Sequence, residues 1–203
     1  MRPFVTKELA VALVLLGGVG GCSKGTGAAA AVKAQPAGDP ASQPEPQVIE
    51  SGEIDPAWLS YDAATKTVNF HLIAGLTGLN GALNFNGFRD GGLTLTVPKD
   101  WTVAIRVTNH DGMLPHSAEV IPETKPVPTQ PVPPAFDGAF TVPLAQGLSP
   151  LGEDGMRFVA DRVGSFLIFC GVPGHGAAGM WVRLKVSGTA PAPFLTAAPA
   201  GKS

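Results

Sequence analysis

Two strand-like runs near the C-terminus, Ser165-Phe166-Leu167-Ile168-Phe169 and Trp181-Val182-Arg183-Leu184-Lys185-Val186, bracket a short loop running from Cys170 to Met180. The loop carries one thiol, one imidazole and one thioether: four residues separate Cys170 from His175, and four more separate His175 from Met180. An ion that cycles between Cu(I) and Cu(II) needs a geometry tolerable to both states. Two imidazoles and a thiolate in a trigonal set, with a weak axial thioether, supply it. Gly171, Gly174, Gly176, Gly179 and Pro173 provide the turns and positive φ angles that let so short a segment wrap one ion. Val172, Pro173, Ala177 and Ala178 fill the remainder, so the expected metal neighbourhood is free of charge. Taken singly, a cysteine is a small buried hydrophobe and a methionine fills a core gap. The ordered set is what points to a metal.

The loop lacks one imidazole, which the rest of the chain must provide. His116 lies in Leu114-Pro115-His116-Ser117-Ala118-Glu119-Val120-Ile121, where a proline turn delivers it to the start of an apolar run. His71, within Val68-Asn69-Phe70-His71-Leu72, falls on the face opposite the apolar residues and reads as a sheet-surface histidine. His110 belongs to a polar loop with Asp111 and Gly112. His116 is therefore the assigned fourth ligand, with His110 in reserve. Ser117 is expected to donate to the thiolate sulfur and tune the site.

Of the 203 residues, 44% are hydrophobic and 15% charged, and the formal net charge is −2. No basic run occurs, so a nucleic-acid partner is not expected. The 26 glycines and 20 prolines fit a turn-rich β protein with disordered flanks. Residues 1–21 read as a lipoprotein signal peptide: Arg2 and Lys7 form a charged start, Ala10 to Val19 a short apolar stretch, and Val19-Gly20-Gly21 places small residues before Cys22. Cys22 is then the lipidation site, and the chain is expected at the periplasmic or extracytoplasmic face, lipid-anchored to a membrane. With Cys22 acylated, Cys170 has no disulfide partner. A metal ion would occupy this otherwise oxidisable thiol.

Residues 22–47 contain almost no large apolar residue and read as a flexible Ala/Pro/Gly-rich tether. Asp55-Pro56 caps one helical turn at Ala57-Trp58-Leu59. Strands are expected at Thr67 to Ile73, Leu83 to Phe85, Leu93 to Val97, Trp101 to Thr108, Ala139 to Val142 and Met156 to Val159, besides the two runs around the loop. Trp101, Val103, Ile105 and Val107 share one face, as in half-buried antiparallel strands. Pro122 to Pro134 holds six prolines in thirteen residues, so it is an extended surface loop. Short strands joined by Gly and Pro turns make an all-β sandwich the economical fold, in a domain spanning 48–188 with a disordered tail at 189–203.

The Cys-x4-His-x4-Met loop resembles that of the cupredoxins, and within them the sulfocyanins and rusticyanin more than plastocyanin, whose Cys and His are closer together. Trp58-Leu59-Ser60-Tyr61, Phe85-Asn86-Gly87, Val97-Pro98-Lys99-Asp100-Trp101 and Leu114-Pro115-His116-Ser117 extend the likeness to sulfocyanin over roughly residues 54–187. The resemblance implies a Greek-key β-sandwich and one type 1 copper held by His116, Cys170, His175 and Met180. It implies a monomeric carrier of single electrons between redox partner proteins such as cytochromes or a terminal oxidase, and no enzymatic activity. A lipobox in place of a transmembrane anchor, and the proline-rich loop, depart from the family pattern. An exported protein for copper storage or delivery is the alternative for the same ligands.

Overall fold

The structure is a computed structural model that describes residues 53–198. The stretches expected to be a signal peptide (1–21) and a tether (22–47), with the expected lipidation site Cys22, lie outside the described residues. Asp55 opens the first element: its side chain accepts the Ala57 N–H at 2.8 Å and Pro56 occupies the first position of a 3-10 turn, Pro56–Trp58. Among the described residues nine strands follow: β1 Leu59–Asp62, β2 Thr67–Ala74, β3 Leu93–Pro98, β4 Thr102–Asn109, β5 Glu119–Pro122, β6 Glu153–Val159, β7 Gly164–Phe169, β8 Trp181–Ser187 and β9 Phe194–Ala197. They form two sheets, ordered β1-β2-β4-β6 and β5-β7-β8-β3-β9.

Alternation along the strands builds the core. Val68, Phe70, Leu72 and Ala74 of β2 and Val103, Ile105 and Val107 of β4 meet Leu93, Leu95 and Val97 of β3 and Leu184 and Val186 of β8 in one buried cluster. On β4, Thr102, Arg106 and Thr108 face outward, as the alternation requires. Burying a side chain of this size contributes roughly 1.5–3 kcal/mol.

Four expectations need correction. The sheets are mixed rather than antiparallel: β2 and β4 run parallel, as do β3 and β8. The cause is topological, because β3 leaves for the second sheet and β4 returns to lie beside β2 in the same direction. The segment Leu83–Gly87 is not a strand. Phe85 makes only isolated bridges, to Ala74 and Phe88, and plugs the core, its backbone spent on a turn in which Phe85 and Phe88 exchange hydrogen bonds of 2.8 and 2.9 Å. Ala139–Val142 likewise makes a single bridge, between Phe140 and Glu119, before Pro143 interrupts pairing. Finally, the tail from 189 is not disordered up to Ala197: β9 pairs antiparallel with β3 and seats Leu195 and Ala197 against the core. Two apolar side chains suffice to dock an edge strand in an otherwise Ala- and Pro-rich stretch.

Candidate metal centre

β7 and β8 form the hairpin that presents the loop. Phe169 and Trp181 are cross-strand partners, and the Cys170 N–H donates to the Met180 carbonyl at 3.0 Å, adding one more rung above them. The loop then closes on itself: the Met180 and Ala178 N–H groups both donate to the His175 carbonyl at 3.1 Å. Of the four loop glycines only Gly174 and Gly179 have positive φ, at 84° and 100°. Gly171 and Gly176 serve close packing instead, since a Cβ at Gly176 would enter the Phe169 ring and one at Gly171 would meet Leu144 at 2.7 Å.

His116 arrives from the other side. Its backbone exchanges two hydrogen bonds with Leu148, of 3.2 and 2.6 Å, and the side chain is fully buried. Asn109, at the end of β4, fixes this approach by donating to the carbonyls of Leu114, Leu148 and Ser149 and accepting the Asp111 N–H. The Asp111 carboxylate lies 3.1 Å from His116 Nε2. A carboxylate only accepts, so Nε2 carries the proton and Nδ1 keeps a free lone pair. That Nδ1 is buried without a hydrogen-bond partner.

The ligand atoms of His116, Cys170 and His175 all lie within 4.8 Å of one another. Sγ of Cys170 and Nδ1 of His175 are 3.6 Å apart, and the two imidazole centroids are separated by 5.3 Å. The Ser117 N–H donates to Sγ at 3.4 Å; its hydroxyl accepts the Gly171 N–H at 3.0 Å and sits 3.9 Å from the sulfur. Met180 is fully buried, and its backbone is hydrogen-bonded to both Cys170 and His175.

Burial raises the Cys170 thiol above its ordinary pKa, against the pull of the Ser117 and Val172 amides. Burial lowers His116, with Asp111 opposing, and lowers His175, with His116 adding to the effect. Both imidazoles are thus held neutral and ready to ligate. The donor set fits a soft cation: an orphaned buried nitrogen, a second imidazole and a soft thiol suit a copper ion.

The structure brings His116, Cys170 and His175, three of the four expected ligands, together. His71 instead meets Thr108 Oγ1 at 3.0 Å across β2 and β4, and His110 is exposed. The expectation of a charge-free neighbourhood is overturned by Asp111, whose carboxylate backs a ligand. Burial pushes the Asp111 pKa up, but the amides of Met113 and Leu114 and the His116 ring together bring it below the ordinary value. Spacing along one strand end gives no sign that a residue beside the solvent-facing His110 turns inward.

The family model described as the sulfocyanin (SoxE) domain matches residues 55–197. The chain belongs to the sulfocyanin family. Sulfocyanin of Sulfolobus acidocaldarius is 27% identical over 142 residues, covering 66% of this chain and 70% of that one. Among solved structures, rusticyanin variants are similar at 22% identity and a TM-score of 0.49, over 67% of this chain and 86% of theirs. Auracyanin A of Chloroflexus aurantiacus, described as a blue copper protein, is similar at 18% identity and a TM-score of 0.43, over 60% of this chain and 99% of that one. As a sulfocyanin-type cupredoxin the chain takes copper as its cofactor, in an electron-transfer family whose members are carriers rather than enzymes.

Proposed function

We propose that this sulfocyanin-family chain is an exported, lipid-anchored carrier of single electrons between respiratory partners. His116, Cys170 and His175 would hold the copper ion, with Met180 as a further, weaker sulfur donor. The observation that carries this reading is the unpartnered His116 Nδ1, buried within 4.8 Å of the Cys170 and His175 donor atoms. Bound there, copper supplies a one-electron couple between Cu(II) and Cu(I).

The chain's own residues supply the rest. Asp111 and the Leu148 bridge hold His116, the Met180 carbonyl holds the Cys170 backbone, and the Ser117 amide faces the sulfur. Side chains so braced would have little freedom to move when a bound ion changes charge. His175 alone of the three is not fully buried, so its ring edge is the route for electrons to a cytochrome or a terminal oxidase. Handing over a metal needs access for a second protein's ligands. Cys170, at 1% exposure, and the fully buried His116 and Met180 do not offer it. The storage or delivery reading is accordingly the weaker one. Acylation of Cys22, followed by the 22–47 tether, would hold the domain at the membrane surface outside the cytoplasm.

Voltammetry of the copper-loaded protein, paired with a chelator challenge, tests this reading. The expected result is a reversible one-electron couple with copper retained, and Met180→Gln lowering the potential without losing the metal. Rapid loss of copper to the chelator with no reversible couple would overturn it in favour of delivery. For the anchor, Cys22→Ala should move the exported protein from the membrane to the soluble fraction. Persistence at the membrane would contradict lipidation.

A further inference from the structure

The outer face of the five-stranded sheet carries a second apolar cluster: Ile121, Leu167, Phe169 and Trp181, roofed by Val127 and Val132 of the proline-rich segment. Alternation along β5 turns Glu119 to the same face as Ile121. Glu119 is fully buried there. One carboxyl oxygen accepts the Val132 N–H at 3.4 Å, and the other has no hydrogen-bond partner. Because Pro131, Pro133 and Pro134 have no N–H, Val132 is the one amide in that stretch able to reach it. The same segment also touches the ligand loop, where the Gly174 N–H donates to the Thr129 carbonyl at 2.9 Å. Gly174 immediately precedes His175. The segment is pinned at both ends, by Glu123 N–H to Ser165 O at 3.2 Å and Ala135 N–H to Val120 O at 2.7 Å.

We propose that residues 122–134 form a strap holding the ligand loop through Thr129 and Gly174, and that Glu119 is the positioning residue that latches it. Protonated, Glu119 keeps the strap shut; ionised, it loosens the strap and frees the loop at His175. The physical cause is desolvation: a buried carboxylate with an unpaired oxygen is costly, and opening the roof returns it to water.

Charged and titratable groups on the surrounding elements are Glu123 and Lys125 in the strap, Asp137 in the turn beyond it, Arg183 and Lys185 on β8, and His175 on the ligand loop. Residues of β7 on this face, Ser165, Leu167 and Phe169, carry no charge. Arg183 is committed to the Gly91 carbonyl at 2.6 Å and to Glu123 at 3.8 Å. None of these groups offsets the charge of Glu119. Burial therefore lifts its pKa from 4.5 to about 7, with only the Val132 amide pulling it down.

The sign follows from linkage. With the carboxyl near 4.5 when the strap is open and about 7 when shut, closure is strongest below 4.5. It weakens about tenfold per pH unit up to 7 and levels off above.

Amide hydrogen exchange of Gly174 in the metal-free full chain, corrected for intrinsic rates and followed from pH 4.5 to 8, tests the proposal. Protection in the wild type should fall about tenfold per pH unit and flatten above 7. Glu119→Gln, which keeps the acceptor and removes the ionisation, should be independent of pH. The Ile105 amide of β4, away from the strap, should show no such slope. A flat wild-type profile overturns the proposal, as does the same slope in Glu119→Gln or a matching slope at Ile105. If Glu119→Gln fails to fold, the contrast between Gly174 and Ile105 in the wild type decides. The readout needs no copper, so its failure is distinct from a failure of the electron-carrier reading.

Discussion

The carboxylate of Asp111 meets Nε2 of His116 at 3.1 Å in the protein interior, five residues away along the chain. That contact fixes which nitrogen faces Cys170 and His175. Asp111→Ala is expected to lower copper affinity by about 10–100-fold, the usual range for losing a partner behind a ligand. Asp111→Asn, whose amide oxygen still accepts, should lose less. Competition titration against a chelator of known affinity measures both; wild-type affinity in Asp111→Ala would show that the ring is held by packing alone.

Proton release on metal binding follows from the pKa directions. Near pH 7 the buried thiol is protonated while burial keeps both imidazoles neutral. Binding should therefore release about one proton per copper, from Cys170. The number should grow as pH falls well below the ordinary histidine value of 6.5 and the two rings protonate in the free protein. Titration in weakly buffered solution with a pH electrode counts them. Release of two or more at pH 7 would mean that the histidines are charged before binding.

Gly176 has no room for a side chain, because a Cβ there would enter the Phe169 ring and lie 3.1 Å from the Cys170 carbonyl. Gly176→Ala is expected to destabilise the fold by about 1–3 kcal/mol, the range for overpacking. A thermal melt of the metal-free protein should show a reduced Tm. An unchanged Tm would mean that the loop shifts without cost.

β9 closes the edge of the sheet that carries the ligand loop. Ending the chain at Ser187 removes Leu195 and Ala197 from the core and uncovers the hydrogen-bonding edge of β3. We expect a loss of about 1–2 kcal/mol, the burial of one half-covered leucine, together with a tendency to self-associate through the bared edge. Denaturant unfolding and light scattering check the two effects. Wild-type behaviour in both would show β9 to be dispensable.

Much of this was legible because β alternation and ligand spacing are local. The β4 face built from Val103, Ile105 and Val107 and the trio His116, Cys170 and His175 were all readable one segment at a time. What escaped the sequence depends on non-local approach. Asp111 turns inward because Asn109 ties the loop to Leu114, Leu148 and Ser149, three carbonyls from two separate stretches. Glu119 is buried only because a proline-rich segment, legible as an irregular loop, folds back over the sheet. β9 is visible only once β3 offers an open edge. Gly171 and Gly176 looked like turn residues, yet their reason is the proximity of Leu144 and Phe169.

The most direct test of the copper assignment is the visible absorption and EPR spectrum of the protein after one equivalent of Cu(II). Copper held by the Cys170 thiolate should give an intense thiolate-to-copper charge-transfer band with a narrow copper hyperfine splitting, both lost in Cys170→Ser. A pale, ordinary Cu(II) spectrum, or a colour unchanged by Cys170→Ser, would contradict it.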